Sequence, residues 1–166
     1  MNITFIGMPG VGKSVVGKAL AKKLNYKLLD IDDVVEDKTG LKLQKIIDDF
    51  GDEEFIKIEG KAILELGELN NHIISPGGSV IYSVKAMDFL KEHSTVIFLN
   101  SPFEDMRKRI KNQDTRGIVG LKKSSLEALF NERVPLYKKY ADITVEVLDN
   151  FNTNSVVQKI IEELND

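Results

Sequence analysis

A phosphate-binding pattern lies close to the amino terminus, where residues 7–14 read GMPGVGKS and fit G-x-x-x-x-G-K-[ST] at every fixed position. Glycines let backbone N–H groups curl around a polyanion, and the helix expected after the loop directs unpaired N–H groups at the phosphates. In this pattern Lys13 bridges the β- and γ-phosphates and Ser14 binds Mg²⁺. The pattern predicts a site for ATP or GTP, against the alternative of a glycine-rich turn that binds nothing. The expected nucleotide contacts are Gly10, Val11, Gly12, Lys13, Ser14 and Val15.

Two aspartates directly follow the next predicted strand, Tyr26–Leu29. Strand alternation would put Asp30 and Asp32 on the same side of an extended segment. One carboxylate of such a pair can lie near Mg²⁺ while the other lies near an attacking hydroxyl. The alternative is that these carboxylates only cap a helix that begins near Asp33.

Paired glycines follow a later predicted strand, residues 72–75. Gly77 and Gly78 would let a ligand approach the backbone closely, and a plain tight turn is the alternative. A basic region, residues 107–123, contains a segment rich in glycine and polar residues, which reads as a loop between helices. Arg116 in this loop is the candidate for a charge-stabilising arginine on a closing lid. The other cations of the region are expected to be solvated: Lys108, Lys122 and Lys123.

The elements that must position these residues alternate between strand and helix. Short apolar runs near residues 2–6, 26–29, 72–75, 95–99 and 143–147 are separated by helical stretches. Repeated βα units predict a parallel sheet with helices on both faces, which is an α/β sandwich. Ligands of such sheets bind beyond the carboxyl ends of the strands, where the candidate residues lie.

Composition limits the class of protein. The 166 residues carry a formal net charge of −3, and the pI of about 5.5 argues against a broad nucleic-acid-binding surface. The absence of cysteine excludes disulfides and thiolate metal sites. The length fits one domain, residues 1–166, and no apolar run approaches the roughly 18 residues of a membrane span. We therefore expect a cytoplasmic protein with no membrane or nucleic-acid partner.

Taken together in order, the motifs resemble the shikimate kinase family, which are small P-loop kinases of the nucleoside-monophosphate-kinase type. The resemblance covers nearly the whole chain and implies a three-layer α/β/α sandwich with a five-stranded parallel sheet. It also implies an acceptor-binding segment at about 31–60, a lid at about 111–124 and a place in aromatic amino acid biosynthesis. It rests on residues 7–14, Asp30 and Asp32, residues 51–55 with Glu59, Gly77 and Gly78, Arg116, and residues 133–137.

At the nucleotide end, the resemblance implies ATP as the co-substrate with Mg²⁺. Asp30 would help to hold the metal through water, beside Ser14. Arg109 would stack on adenine, and Arg116 would swing in from the lid toward the transferring phosphate. Lys13, Asp32 and Arg116 are thus the predicted catalytic residues.

At the acceptor end, the resemblance implies that Asp32 holds the acceptor hydroxyl and takes its proton. Gly77 and Gly78 would line the acceptor pocket. Arg133 would bind the carboxylate of the acceptor.

Two departures from the family pattern fall on the acceptor side. The family has F-R-x-x-E where this chain reads FIKIE, so that Ile56 stands in the place of an arginine that binds the shikimate carboxylate. Lys57 is about 100° away around a helix and is not a simple replacement. Hydrogen bonds to charged groups contribute roughly 1.5 to 3 kcal/mol each, so carboxylate binding should weaken about tenfold or more. Pro76, at the start of the glycine pair, removes one N–H donor.

Three functions remain open on the sequence. The first is ATP-dependent phosphorylation of a hydroxyl, with shikimate as the default acceptor. The second keeps this chemistry with another small hydroxy compound or polyol, and a nucleoside monophosphate ranks below it. The third is a regulatory nucleotide-binding module without catalysis. The expected partners are ATP and a small acceptor only, and the expected state is a monomer, with a weak dimer as the alternative.

Overall fold

A computed structural model describes residues 1–110 and 117–166, and within these ranges five parallel strands form one sheet. The spatial order is β2-β3-β1-β4-β5. The predicted α/β class and five-stranded parallel sheet are confirmed. The strands are β1 Ile3–Ile6, β2 Lys27–Asp30, β3 His72–Ser75, β4 Thr95–Asn100 and β5 Ile143–Glu146.

Helices cover both faces of the sheet and enclose two hydrophobic cores. Leu20 and Ile160 pack with Phe5 on one face, whereas Ile63 and Leu90 belong to the core that contains Phe98 on the other. Every residue of β1 is buried, as expected for a strand covered on both faces. The helices are α1 Lys13–Leu24, α2 Ile31–Thr39, α3 Leu43–Phe50, α4 Asp52–Leu64, α5 Val84–His93, α6 Phe103–Arg109, α7 Leu126–Tyr140 and α8 Thr153–Asn165, with a 3₁₀ turn at Val80–Tyr82.

The central position of β1 determines where the sheet forms its crevice. The chain leaves β1 for β2 and β3 on one side and later adds β4 and β5 on the other. This reversal of direction opens a crevice beyond the carboxyl end of β1. The segment predicted for the acceptor, about 31–60, comprises α2, α3 and most of α4. Within the ranges described, every helix is too short or too polar to serve as a membrane span.

The start of α2 corrects one expectation. Helix α2 begins at Ile31, so Asp32 lies in its first turn and does not extend β2. Asp30 is the N-cap, and its side chain accepts a hydrogen bond from the Asp32 N–H at 2.9 Å. The prediction that both aspartates share one side of an extended segment is therefore wrong. The capping alternative holds for Asp30, because a short carboxylate before a helix satisfies an otherwise unpaired N–H.

At the amino ends of the strands, the buried side-chain amide of Asn2 joins three segments of the chain. The Asn2 side chain is 5% exposed, and its Nδ2 donates to the carbonyl oxygens of Leu69 at 2.8 Å and His93 at 3.1 Å. Its Oδ1 accepts the His72 N–H at 3.1 Å. These hydrogen bonds join the segments that lead into β3 and β4, far from the crevice.

We predict that Asn2→Ala lowers the free energy of unfolding by about 2 to 4 kcal/mol, because three hydrogen bonds are lost in a buried place. Urea unfolding measures the change. The Michaelis constants should stay within twofold of wild type, since the cleft lies at the carboxyl ends of the strands and Asn2 lies at the amino ends. An exposed asparagine, Asn154→Ala, serves as the control. An unfolding free energy equal to that of the control would contradict the prediction.

Candidate active site

A cleft of about 400 Å³ at the carboxyl ends of the strands brings together most of the predicted site residues. It is lined by the phosphate loop, by residues that follow β2 and β3, and by α7. The predicted site residues in its wall are Gly10, Gly12, Lys13, Ser14, Val15, Asp30, Asp32, Gly77, Gly78, Arg109 and Arg133.

The phosphate loop leaves backbone donors facing the cleft. Gly10 and Gly12 have φ angles of 78° and 112°, which glycine adopts readily. Gly12 is the N-cap of α1 and has no side chain that could satisfy the first N–H groups of the helix. In α7, by contrast, Ser125 caps the helix by accepting the Ala128 N–H. The uncapped start of α1 therefore favours an anion.

The Lys13 side chain is held against the phosphate loop. Its Nζ donates to the carbonyl oxygens of Gly7 at 2.7 Å and Met8 at 2.9 Å. Burial lowers the pKa of Lys13 to about 8, and the nearby negative charge of Asp32 opposes this shift. Negative phosphate oxygens in the cleft would favour the charged ammonium further.

Asp32 is suited to accept a proton near neutral pH. Burial raises the pKa of Asp32 to about 6, and the charge of Asp30 adds to this rise. Lys13 acts in the opposite direction. A carboxylate whose pKa approaches the working pH is a better general base than an ordinary aspartate.

The two glycines are required by close packing of side chains around them. A Cβ atom built on Gly77 would lie 2.7 Å from Glu59 Oε2 and 3.3 Å from Asp32 Oδ1. A Cβ atom built on Gly78 would lie 2.9 Å from Pro9 Cδ and 3.2 Å from Arg133 Nη1. These contacts leave no room for a side chain at either position. The contact of these glycines with a ligand stays a prediction.

Arg133 is a buried cation that retains an unused donor. The residue is 1% exposed, its Nη2 donates to the Val119 carbonyl oxygen, and its guanidinium lies 5.3 Å from the centre of the Tyr82 ring. Its Nε has no hydrogen-bond partner among the described residues. A buried N–H without a partner is costly. Arg133 also lines the cleft, where its positive charge would favour an anionic ligand.

Glu59 was not among the predicted site residues, although its spacing of three from Ile56 placed it on the face of α4 that meets the acceptor. The side chain is 1% exposed, and its Oε2 accepts the Gly77 N–H at 3.0 Å. Burial raises the pKa of Glu59 to about 7, and the charge of Asp32 raises it further. Sequence reasoning missed this residue because the motif alone does not show that the carboxyl is buried.

The far end of the cleft contains Arg109 and an aromatic ring that the sequence did not single out. Arg109 donates to the carbonyl oxygens of Val11 at 3.2 Å and of Leu148, and its guanidinium lies 5.1 Å from the centre of the Phe151 ring. Both Arg109 and Phe151 line the cleft beside the phosphate loop. The stacking of Arg109 on adenine stays a prediction.

The lid prediction is only partly open to inspection. Arg116 lies outside the described residues, as does the first part of the lid at 111–116. The segment from Gly117 onward contacts α3 and α4, because the Gly117 N–H donates to Gln44 Oε1 at 3.2 Å and the Gly120 N–H donates to Asp52 Oδ2 at 3.1 Å. These contacts join the end of the lid to α3 and α4.

The position of the missing arginine is apolar. Ile56 is half-buried and packs against the hydrophobic core, whereas Lys57 is exposed. Neither residue lines the cleft, and Lys57 therefore does not compensate for the arginine.

Comparisons with known proteins agree with this geometry. A family model described as shikimate kinase matches residues 9–165. A shikimate kinase of Caldicellulosiruptor bescii is 37% identical over 82% of this chain and 81% of its own length. Among solved structures, a shikimate kinase from Acinetobacter baumannii in complex with shikimate has a TM-score of 0.89 at 29% identity, covering 99% of this chain and 92% of that one. The shikimate kinase of Aquifex aeolicus has a TM-score of 0.85 at 33% identity, covering 99% and 96% of the two chains.

We predict that Glu59→Gln changes the pH dependence of stability. The pKa of Glu59 rises on folding from 4.5 to about 7, so the folded chain binds this proton more tightly and stability falls as pH rises between these values. Glutamine carries no such charge. The variant should match wild type near pH 5 and exceed it by up to about 3 kcal/mol near pH 8.

Urea unfolding of the ligand-free proteins at the two pH values measures this difference. Glu54→Gln, an exposed glutamate on the same helix, is the matched control and should show no such dependence. A difference between Glu59→Gln and wild type that is the same at both pH values would contradict the prediction.

Proposed function

Because the chain belongs to the shikimate kinase family, we propose that it transfers the γ-phosphate of ATP to a hydroxyl of shikimate and forms shikimate 3-phosphate. The observation that carries the proposal is the single cleft in which the phosphate loop, Asp32 and Arg133 meet. A nucleotide site alone would not need a buried arginine with an unused donor beside the loop. The proposed setting is the cytoplasm, as a step of aromatic amino acid biosynthesis, with the chain acting as a monomer.

At the donor end, the proposal gives the phosphates to the loop and to Lys13. The Nζ of Lys13 already lies between loop carbonyl oxygens, and rotation of a flexible side chain can redirect it to phosphate oxygens. Such a contact neutralises charge that develops during transfer. Arg116 is proposed to supply a second positive charge from the lid.

Mg²⁺ fits the residues at this end of the cleft. Ser14 is exposed at the start of α1, Asp30 lies in the same wall, and the family pattern assigns both to the metal. The described part of the chain contains no group of three or more acidic or histidine side chains that could hold a metal. This composition suits Mg²⁺, which is commonly bound by one or two protein oxygens together with substrate phosphates. When bound, the ion would neutralise phosphate charge.

At the acceptor end, Asp32 and Arg133 have separate tasks. Asp32 orients the attacking hydroxyl and takes its proton, which suits its raised pKa. Arg133 binds the carboxylate of the acceptor, because it brings a buried guanidinium cation to the wall of the cleft. Gly77 and Gly78 form the wall between them because no side chain fits there. Phosphoryl transfer requires mostly positioning and charge stabilisation, and these residues supply both.

The identity of the acceptor is the decisive test. ADP release in a coupled assay, with mass spectrometry of the product, is measured over shikimate, other sugar acids, polyols, amino-acid alcohols and nucleoside monophosphates. Shikimate should have the highest kcat/KM. The second candidate is a less polar acceptor, which Ile56 favours. If a neutral polyol is turned over faster than shikimate, polyols replace shikimate as the proposed class of acceptor. ATP binding without turnover of any acceptor would favour the regulatory alternative.

We predict that Asp32→Asn lowers kcat about 10²- to 10⁴-fold, because the amide cannot take the proton of the hydroxyl. The KM for ATP should change less than threefold. Asp33→Asn is the matched control, since Asp33 is exposed in the same turn of α2 and does not line the cleft. If Asp32→Asn retains more than half of the wild-type kcat, the assignment of Asp32 as the base is wrong.

We also predict that Ile56→Arg lowers the KM for shikimate about tenfold, because one charged hydrogen bond contributes roughly 1.5 kcal/mol or more. The KM for ATP should change less than twofold. Lys57→Arg is the control, because Lys57 is exposed whereas Ile56 is half-buried, and consecutive residues point about 100° apart around a helix. An unchanged KM for shikimate in Ile56→Arg would mean that the acceptor wall differs from the family pattern at more than this residue.

A further inference from the structure

The wall between Asp32 and Arg133 contains an unusual pair of buried polar contacts on two adjacent residues. Glu59 of α4 accepts the Gly77 N–H, and Tyr137 of α7 donates its hydroxyl hydrogen to the Gly78 carbonyl oxygen. Glu59 is 1% exposed and Tyr137 is fully buried. Helix α4 therefore holds the loop by the N–H of Gly77, and helix α7 holds it by the carbonyl oxygen of Gly78.

The contact made by Glu59 is costly enough to require an explanation. Its carboxyl forms no ion pair among the described residues, and its second contact, from Ser79 Oγ to Oε1, is long at 3.5 Å. The facing ionisable groups are Lys13, Asp32 and Tyr137. A buried carboxyl with a like charge nearby costs folding energy. An apolar side chain would stabilise the same place more cheaply, which argues for a functional reason.

Tyr137 also does more than fill space. Its ring stacks on Phe98 with a centroid distance of 5.2 Å, and a phenylalanine would keep that packing. The hydroxyl therefore contributes the contact to Gly78, together with a weak 3.8 Å contact to Met8 Sδ. Position 137 thus combines a packing role in the ring with a polar role directed at the wall of the cleft.

The hydrogen bonds of residues 76–78 determine which backbone N–H group is left for a ligand in the cleft. Pro76 has no N–H, and Glu59 occupies the N–H of Gly77. Among the described residues, the Gly78 N–H has no hydrogen-bond partner, although Gly78 lines the cleft. A glycine loop with one free donor must be held in place if that donor is to meet a ligand at hydrogen-bond distance, because glycine has the largest backbone freedom.

We propose that Glu59 and Tyr137 are positioning residues for the acceptor, which hold the Gly77–Gly78 backbone from two sides so that the acceptor meets a preformed wall. The proposal rests on the proposed function insofar as the acceptor is a small molecule bound between Asp32 and Arg133. Neither residue needs to touch the acceptor. Both act through the glycine backbone, and fixing a flexible loop in advance lowers the entropy cost of binding.

Tyr137→Phe is the first test, with shikimate as the probe. Loss of one hydrogen bond to the loop should raise the KM for shikimate about three- to tenfold, while the KM for ATP stays within twofold. Tyr140→Phe is the matched control, because it removes a hydroxyl from a buried tyrosine of the same helix outside the cleft wall. Equal increases in both Michaelis constants, or none in Tyr137→Phe, would overturn the proposal for Tyr137.

Glu59 is tested by rescue. Glu59→Ala should raise the KM for shikimate at least tenfold, and Glu59→Gln should bring it back to within about threefold of wild type, because an amide oxygen can still accept the Gly77 N–H. A residue that only supports the fold would affect the KM for ATP as strongly as that for shikimate. That result, or the absence of rescue by glutamine, would overturn the proposal for Glu59.

Hydrogen exchange of backbone amides separates failure of this proposal from failure of the proposed function. The Gly77 amide should exchange slowly in wild type and in Glu59→Gln, and more than tenfold faster in Glu59→Ala, while the amides of Ile73 and Ile74 in β3 stay unchanged. If wild type neither binds nor phosphorylates shikimate, the proposed function falls, and the selective change at Gly77 still decides whether Glu59 holds the loop. Uniform loss of protection in Glu59→Ala, or no change at Gly77, would overturn the positioning role.

Discussion

The active site depends on charged groups that the fold holds away from water. Lys13 and Arg133 supply two positive charges, and Asp32 and Glu59 supply two carboxyl groups that both lie close to Gly77. An isolated buried charge costs several kcal/mol, so each of these groups is tolerable only beside the others or beside a hydrogen-bonding backbone. Burial lowers the pKa of Lys13 and raises those of Asp32 and Glu59, and the opposite charges nearby act against these shifts.

This balance gives the two halves of the cleft different characters. At the phosphate loop, uncapped N–H groups and Lys13 attract a polyanion whose charge exceeds what these groups neutralise, which is why Mg²⁺ and Arg116 have a place in the proposal. At the acceptor wall, the backbone of Gly77 and Gly78 is held by Glu59 and Tyr137, and the charge there comes from Arg133. The phosphate-loop half therefore binds negative charge, whereas the half formed by Gly77 and Gly78 presents a backbone held in one conformation.

The departure at Ile56 has its effect in the second half. An arginine there would bring a further cation toward the acceptor and toward the buried carboxyl of Glu59, three residues along the same face of α4. With isoleucine in that position, Glu59 forms no ion pair among the described residues and relies on the Gly77 N–H. Loss of a cation on the acceptor side therefore increases the importance of the backbone wall and of Arg133.

The sequence by itself predicted the phosphate loop and the succession of strands and helices along the chain. The loop at residues 7–14 and the alternating apolar runs are local patterns, because backbone conformation and strand burial depend on neighbouring residues. The sequence left capping by Asp30 as an alternative, and the structure decided for it. Only the tertiary structure showed that Glu59 and Tyr137 meet at Gly77 and Gly78. Those contacts join residues 18 and 59 positions apart, and burial and pKa depend on which elements pack together. Contacts between residues far apart in the chain leave no local sequence pattern. The sequence therefore shows Glu59 as one of several charges on a helix, and only the structure shows that its carboxyl is part of the wall of the site.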